Sequence, residues 1–229
     1  MIPTTNTTTD IMTRPANTPF EFKSAAHLLF IERERAGNLT ELLEAVRSCP
    51  EGSIFQHTFR TLEEHHFIKE GFSNDFAHWA YSELGMVGLG ERLASLDVRE
   101  FTSLSALRSR LIQMVEEFVA QNPNARERAA ESPFYFCSSN IVILPVDLKA
   151  NNLAEFIEDL KQVSVHSIHY HFIEARLRRK LDTNDFSLWL QRDLGLTRTA
   201  AQLNHLDIYT STLDGVKRKI IQVLQNATA

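Results

Sequence analysis

The feature that most constrains this chain is an internal echo. Pro19-Phe20-Glu21-Phe22 returns as Pro133-Phe134-Tyr135-Phe136, and Leu39-Thr40-Glu41-Leu42-Leu43-Glu44 returns at the same offset as Leu153-Ala154-Glu155-Phe156-Ile157-Glu158. Ser53-Ile54 and His57 return as Ser167-Ile168 and His171, and Asn74-Asp75-Phe76-Ala77-His78-Trp79 returns as Asn184-Asp185-Phe186-Ser187-Leu188-Trp189. Leu84-Gly85 and Leu96-Asp97 return as Leu194-Gly195 and Leu206-Asp207. A conserved order over so many segments reads as tandem duplication, and a repeat sets the fold expectation before any local pattern does. The offset shortens by four residues between His57/His171 and Asn74/Asn184. That is about one helical turn, so a helix there keeps its faces.

Each copy therefore predicts a short strand-like leading segment, within Phe20 to Ile31 and Phe134 to Val146, followed by about five helices, with a small two-stranded element where the two segments meet. The expected fold class is mainly α: a first repeat over 19–120 and a second over 133–229, packed with pseudo-two-fold symmetry so that each covers the other's apolar face. Residues 1–18, rich in Thr, Asn and Pro, read as a flexible tail, and 121–132 as a linker. Ile141-Val142-Ile143-Leu144 before Pro145 is the better strand candidate. Asn38-x-x-Glu41 and Asn152-x-x-Glu155 have the form of helix starts. Ser53–Lys69 and Ser167–Leu181 are expected as the second helices, and Asp75–Leu84 and Asp185–Leu194 as the third, with Gly85 and Gly195 as left-handed caps. Ser103 and Ser211 are the expected caps of the last helices.

Composition narrows the function classes. At 229 residues and 43% hydrophobic, the chain can bury a core without disulfides or metal. A net charge of -5 gives no strong field for a nucleic-acid backbone. Cys49 and Cys137 occupy non-equivalent places and form no CxxC pair, which points to a reducing, cytoplasmic setting. The leading 18 residues lack the apolar run of a signal peptide, and no membrane span is expected.

Several residue groups are candidates for chemistry. His57 and Glu64, seven apart, and His171 and Glu174, three apart, each share a helical face and could hold a transition metal. They could equally form a structural polar cluster. Asp75 with Trp79 and Asp185 with Trp189 combine a helix-start carboxylate with an aromatic anchor, or could line a ligand site. The extra imidazoles His65 and His66, and His166 and His169, have no zinc-finger or zincin spacing. Arg176, Arg178, Arg179 and Lys180, with Lys217, Arg218 and Lys219, form a basic group suited to phosphate or to a solvated helix face. No Gly-x-Ser-x-Gly elbow or phosphate-binding glycine loop follows a strand, which argues against those nucleophile and nucleotide folds.

The His57-Thr58-Phe59 segment and the Asn74-Asp75-Phe76-x-x-Trp79 motif, with its echo at Asn184–Trp189, resemble an uncharacterised bacterial and archaeal family classed only as a domain of unknown function. The resemblance covers nearly everything after the leading tail. Phe59 stands where a His-Thr-His variant of the pattern carries a further imidazole, which weighs against a metal. No activity is implied by the resemblance. The sequence therefore predicts a non-enzymatic interaction or accessory protein with a protein partner, and a small ligand at the seam between repeats is part of that reading. A metal-dependent helical enzyme and a phosphate- or RNA-binding role are the alternatives. The cofactor, the reaction and the oligomeric state are left open.

Overall fold

A computed structural model describes residues 11–60 and 72–227. The expectations placed on Glu64, His65 and His66 lie outside the described residues. Strand β1 (Phe20–Ala36) is followed by helices α1 (Leu39–Ser48) and α2 (Glu51–Phe55), the latter continued by a π-helical turn over Gln56–Arg60. Then come α3 (Asp75–Ser82), α4 (Val87–Ala94) and the long α5 (Leu104–Gln121). Strand β2 (Phe134–Ala150) leads to α6 (Leu153–Gln162) and α7 (Val165–Ile168), with a second π-helical turn over His169–Ile173. The chain continues through α8 (Ala175–Arg179), α9 (Asp185–Asp193), α10 (Thr197–Asn204) and α11 (Leu213–Asn226).

This corrects the expected fold class. The protein is 57% helical but also carries a two-stranded antiparallel sheet, in which β1 pairs with β2. Each strand has 17 residues and runs on past the expected segments, to Ala36 rather than Ile31 and to Ala150 rather than Val146. At about 3.3 Å per residue such a strand runs roughly 55 Å. Glu21 pairs with Lys149 at 3.1 Å, and Ser138 donates its hydroxyl to Glu32; both contacts fit one antiparallel register. The length escaped the sequence pattern because the middle of each strand is exposed on both faces. A strand covered on neither side has no apolar/polar alternation to betray it.

Two consecutive five-helix copies about a pseudo-two-fold axis are likewise not what the chain forms. Its two compact units are discontinuous in sequence. Unit one gathers the chain up to Ala26 with Ile143–Arg176 and the stretch from Thr183 onward; unit two gathers His27–Val142 with Leu177–Asp182. Each strand therefore begins in one unit and ends in the other.

In unit one, Phe20 and Phe22 of β1 pack on helices that come far later in sequence. Phe20 meets Phe156 at 5.1 Å and Trp189 at 5.7 Å between ring centroids, and Phe22 stacks on Phe156 at 5.3 Å. In unit two, Phe134 and Phe136 of β2 pack on earlier helices: Phe134 stacks on Phe76 at 5.0 Å and meets Trp79 edge-on at 5.8 Å. Phe22, Phe76, Phe136, Phe156 and Phe186 are all fully buried. Burying a side chain of this size contributes on the order of 1.5–3 kcal/mol, so these rings anchor each strand end.

The helix starts read from sequence are built as capping chemistry requires. Asn38 accepts the Glu41 amide at 2.9 Å while Glu41 accepts the Gly37 amide at 2.7 Å. Asn152 and Glu155 form the same reciprocal pair, with Glu155 accepting the Asn151 amide at 2.7 Å. Asn74 and Asn184 cap α3 and α9 at 2.8 and 2.9 Å. Gly85 and Gly195 hold φ of 62° and 71°, the left-handed cap conformation. The cap of α11 is Thr212, one residue beyond Ser211. The expected helix over Ser167–Leu181 is α7, a π turn and α8, while in the first copy α2 and its π turn cover the stretch up to Arg60 and the rest of Ser53–Lys69 lies outside the described residues.

Part of the leading tail is tied into unit one: Ala16 donates to the Asn151 carbonyl at 2.7 Å, Asn17 to that of Asp193 at 3.0 Å, and Arg14 to that of Leu194. The expected linker is likewise stitched into unit two, Ala130 donating to the Gly37 carbonyl at 2.8 Å and Glu131 to that of Glu83 at 2.9 Å.

Candidate functional site

The two histidines singled out by the sequence lie one in each unit, and each completes the same local constellation. In unit one, the Lys23 amide of β1 donates to His171 Nε2 at 2.8 Å, and Ser167 donates its hydroxyl to the Lys23 carbonyl at 2.7 Å. His171 Nδ1 lies 2.8 Å from Asp185 Oδ2. In unit two, the Cys137 amide of β2 donates to His57 Nε2 at 2.9 Å, Ser53 donates to the Cys137 carbonyl at 2.8 Å, and His57 Nδ1 lies 2.8 Å from Asp75 Oδ2.

The tautomer follows from the donors. A backbone amide can only donate, so Nε2 must accept and carry no proton; Nδ1 then bears it and donates to the carboxylate. Asp75 and Asp185 are the first residues of α3 and α9, where the helix dipole favours a negative charge. The elements serve one end. Serine and histidine, four apart on α2 or α7 and its π turn, grip both the N–H and the C=O of one strand residue.

Serine, histidine and aspartate together suggest a nucleophilic triad, but the connectivity is wrong for one. A nucleophile must hydrogen-bond the base that activates it. Here Ser53 and Ser167 address a backbone carbonyl, and Nε2 of each histidine addresses a backbone amide. Both ring nitrogens of His57 and His171 are therefore occupied by the chain's own groups, and the geometry does not favour the metal reading at these imidazoles. The signal that sequence reasoning missed was Ser-x-x-x-His, present as Ser53/His57 and Ser167/His171.

The remaining expected residues are also placed by the structure. Glu174, read as sharing a face with His171, instead pairs with His169 Nδ1 at 2.8 Å, both groups being buried. The π turn is the cause: its i→i+5 geometry brings His169 to Glu174. Trp79 and Trp189 are buried and donate to the carbonyls of Ser132 and Thr18 at 2.8 and 2.7 Å, which anchors the segments leading into β2 and β1.

The basic residues are partly spent on local contacts. Lys217 Nζ donates to the Lys161 and Val163 carbonyls at 3.0 and 2.7 Å, and burial lowers its pKa from the ordinary lysine value against the opposing pull of Asp214. Lys219 reaches Ser211 at 2.6 Å and Arg176 reaches Asn204 at 3.4 Å, while Arg178, Arg179, Lys180 and Arg218 are exposed. Two open clefts of about 540 and 490 Å³, beside Phe118 and Arg128 in unit two and beside Glu158 and Lys149 in unit one, contain none of the expected residues.

Sequence reasoning did not single out the surface of the β1–β2 ribbon in unit two. Leu28, Leu29, Phe30 and Ile31 are consecutive and all exposed, Leu29 at 58% and Ile31 at 83%. Ile141 and Val142 of β2 are exposed beside them. Because successive strand residues point to opposite sides, this exposed apolar surface is divided between the two faces of the ribbon.

Among the described residues no helix is long and apolar enough to cross a membrane. The solved structure of OrfY from Thermoproteus tenax is similar to this chain, with a TM-score of 0.83 and 33% identity over 94% of this chain and 98% of that one. No curated protein matches. Residues 17–225 match the family of unknown function DUF5752, and the chain belongs to that family.

Proposed function

We propose that this chain is a cytoplasmic, non-catalytic interaction protein whose contact surface is the exposed apolar stretch of the ribbon in unit two. The observation that carries this reading is the run Leu28–Ile31 with Ile141 and Val142, exposed on both strands. Large apolar side chains exposed together on both strands of one ribbon mark an interaction surface. Two further features support it. The serine, histidine and aspartate groups that could have supplied chemistry hold the strands to the helices. Cys49 and Cys137 form no disulfide, in keeping with a reducing compartment.

The test is site-specific photo-crosslinking. A photoreactive phenylalanine at Ile31 is expected to give a discrete protein adduct under native conditions, whether with a second copy or another chain. The same probe at exposed Glu21 is the control. Equal, diffuse labelling at both positions would refute the interaction reading.

A further inference from the structure

The ribbon also indicates what covers it, an inference that rests on the interaction reading above. The geometry points to a second copy of this chain, its β1 strand pairing antiparallel with β1 of the first along Leu28–Ile31 to make a four-stranded sheet.

The argument begins with the faces. Successive strand residues point to opposite sides, so Leu28 and Phe30 share one face and Leu29 and Ile31 the other. All four are exposed, from 46% at Phe30 to 83% at Ile31. A helix laid on one face would cover half of them. A strand added at the edge places neighbours beside both sets at once, as in recognition by strand addition. The edge is also there to receive one. Among the described residues the sheet has only β1 and β2, so β1 is hydrogen-bonded to a strand along one side alone. From Ser24 to Ile31 it carries none of the prolines, glycines or formal charges that usually blunt an edge; the first acidic residue is Glu32.

The added strand must itself be apolar at both parities, and β1 meets that requirement. A two-fold axis through the sheet at Leu29 sets residues of equal parity opposite each other. Leu29 then faces Leu29 of the second copy, Leu28 faces Phe30, and His27 faces Ile31. No like charges oppose one another within this stretch, and the charged run Glu32-Arg33-Glu34-Arg35 falls outside it.

Sedimentation equilibrium of the full chain across micromolar concentrations tests this. The wild type is expected to be a dimer, and Leu29→Lys and Leu29→Glu each to weaken it at least 100-fold by setting like charges face to face. Mixing the two variants is expected to restore a dimer, because lysine then opposes glutamate. Unchanged circular dichroism and melting will show that each exposed substitution leaves the fold intact. A dimer insensitive to both variants, or a mixture that stays monomeric, would overturn the pairing. A wild type that is monomeric throughout would also overturn it; the broader interaction reading would then stand or fall separately on the Ile31 crosslink.

Discussion

Replacing His171 with alanine removes three things at once: an acceptor for the Lys23 amide, a donor to Asp185, and a ring packed against Phe20 at 5.0 Å. The surroundings set the magnitude. Side-chain exposure is 4% for His171 and 3% for Asp185, so little water reaches either partner. The imidazole is neutral, so its loss leaves the buried Asp185 carboxylate short of one hydrogen bond, roughly 1.5–3 kcal/mol for a bond to a charged group, and the part-buried Lys23 amide without its acceptor, about 1–3 kcal/mol. These overlap as the cavity relaxes, giving an expected loss of about 4–5 kcal/mol, at the top of the range for single substitutions. His57→Ala makes the same deletion in unit two, but the Asp75 side chain is 36% exposed. Solvent already screens that carboxylate, so the pair itself is worth at most ~1 kcal/mol. The expected loss there is about 2–3 kcal/mol, mainly the Cys137 amide and the ring. His171→Gln, whose amide oxygen can take the place of Nε2, should recover part of the loss. The chain has two tryptophans, Trp79 in unit two and Trp189 in unit one, so Trp79→Phe leaves a fluorophore for unit one and Trp189→Phe one for unit two. Urea unfolding followed in those backgrounds reads each unit separately, which guards against a non-two-state transition. Equal losses for the two alanine variants, or none at His171, would refute the clamp and the burial argument together.

Two further outcomes test other parts of the structure. Gly52→Ala improves intrinsic helix propensity by about 1 kcal/mol, yet its Cβ would lie 2.9 Å from the Ser139 backbone carbonyl on β2. Because backbone cannot swing away, overpacking of roughly 1–3 kcal/mol wins; calorimetry should show a lower Tm, and a raised one would refute the close approach. Glu155 is held below the usual carboxylate range, chiefly by the Asn151 backbone amide and then by its side chain. Its contribution is therefore complete above the unfolded carboxylate value and disappears as pH falls through the lower folded one. Glu155→Gln should flatten that part of the acid stability curve, and an unchanged slope would count against it.

How much was legible in advance can be read from particular residues. The caps at Asn38, Asn74, Asn152 and Asn184 and the left-handed glycines Gly85 and Gly195 were all readable, because a cap is a contract among three or four neighbouring residues. The His169–Glu174 pair was missed because a π turn changes which residues meet, and no local pattern announced one. Strand length was missed because an exposed strand leaves no alternation.

The deepest limit concerns partners rather than elements. By itself the sequence determined that Phe20-x-Phe22 and Phe134-x-Phe136 must bury their rings, and that Ser53/His57 and Ser167/His171 would offer the same donors and acceptors. It did not determine which pair serves which. The two leading segments carry equivalent chemistry, so Phe20 and Phe22 could have packed on the helices that follow them directly. Tertiary structure decided otherwise: Lys23 is gripped by Ser167 and His171, and Cys137 by Ser53 and His57. The cause is the long β1–β2 pairing, a non-local set of hydrogen bonds that no short stretch of sequence specifies.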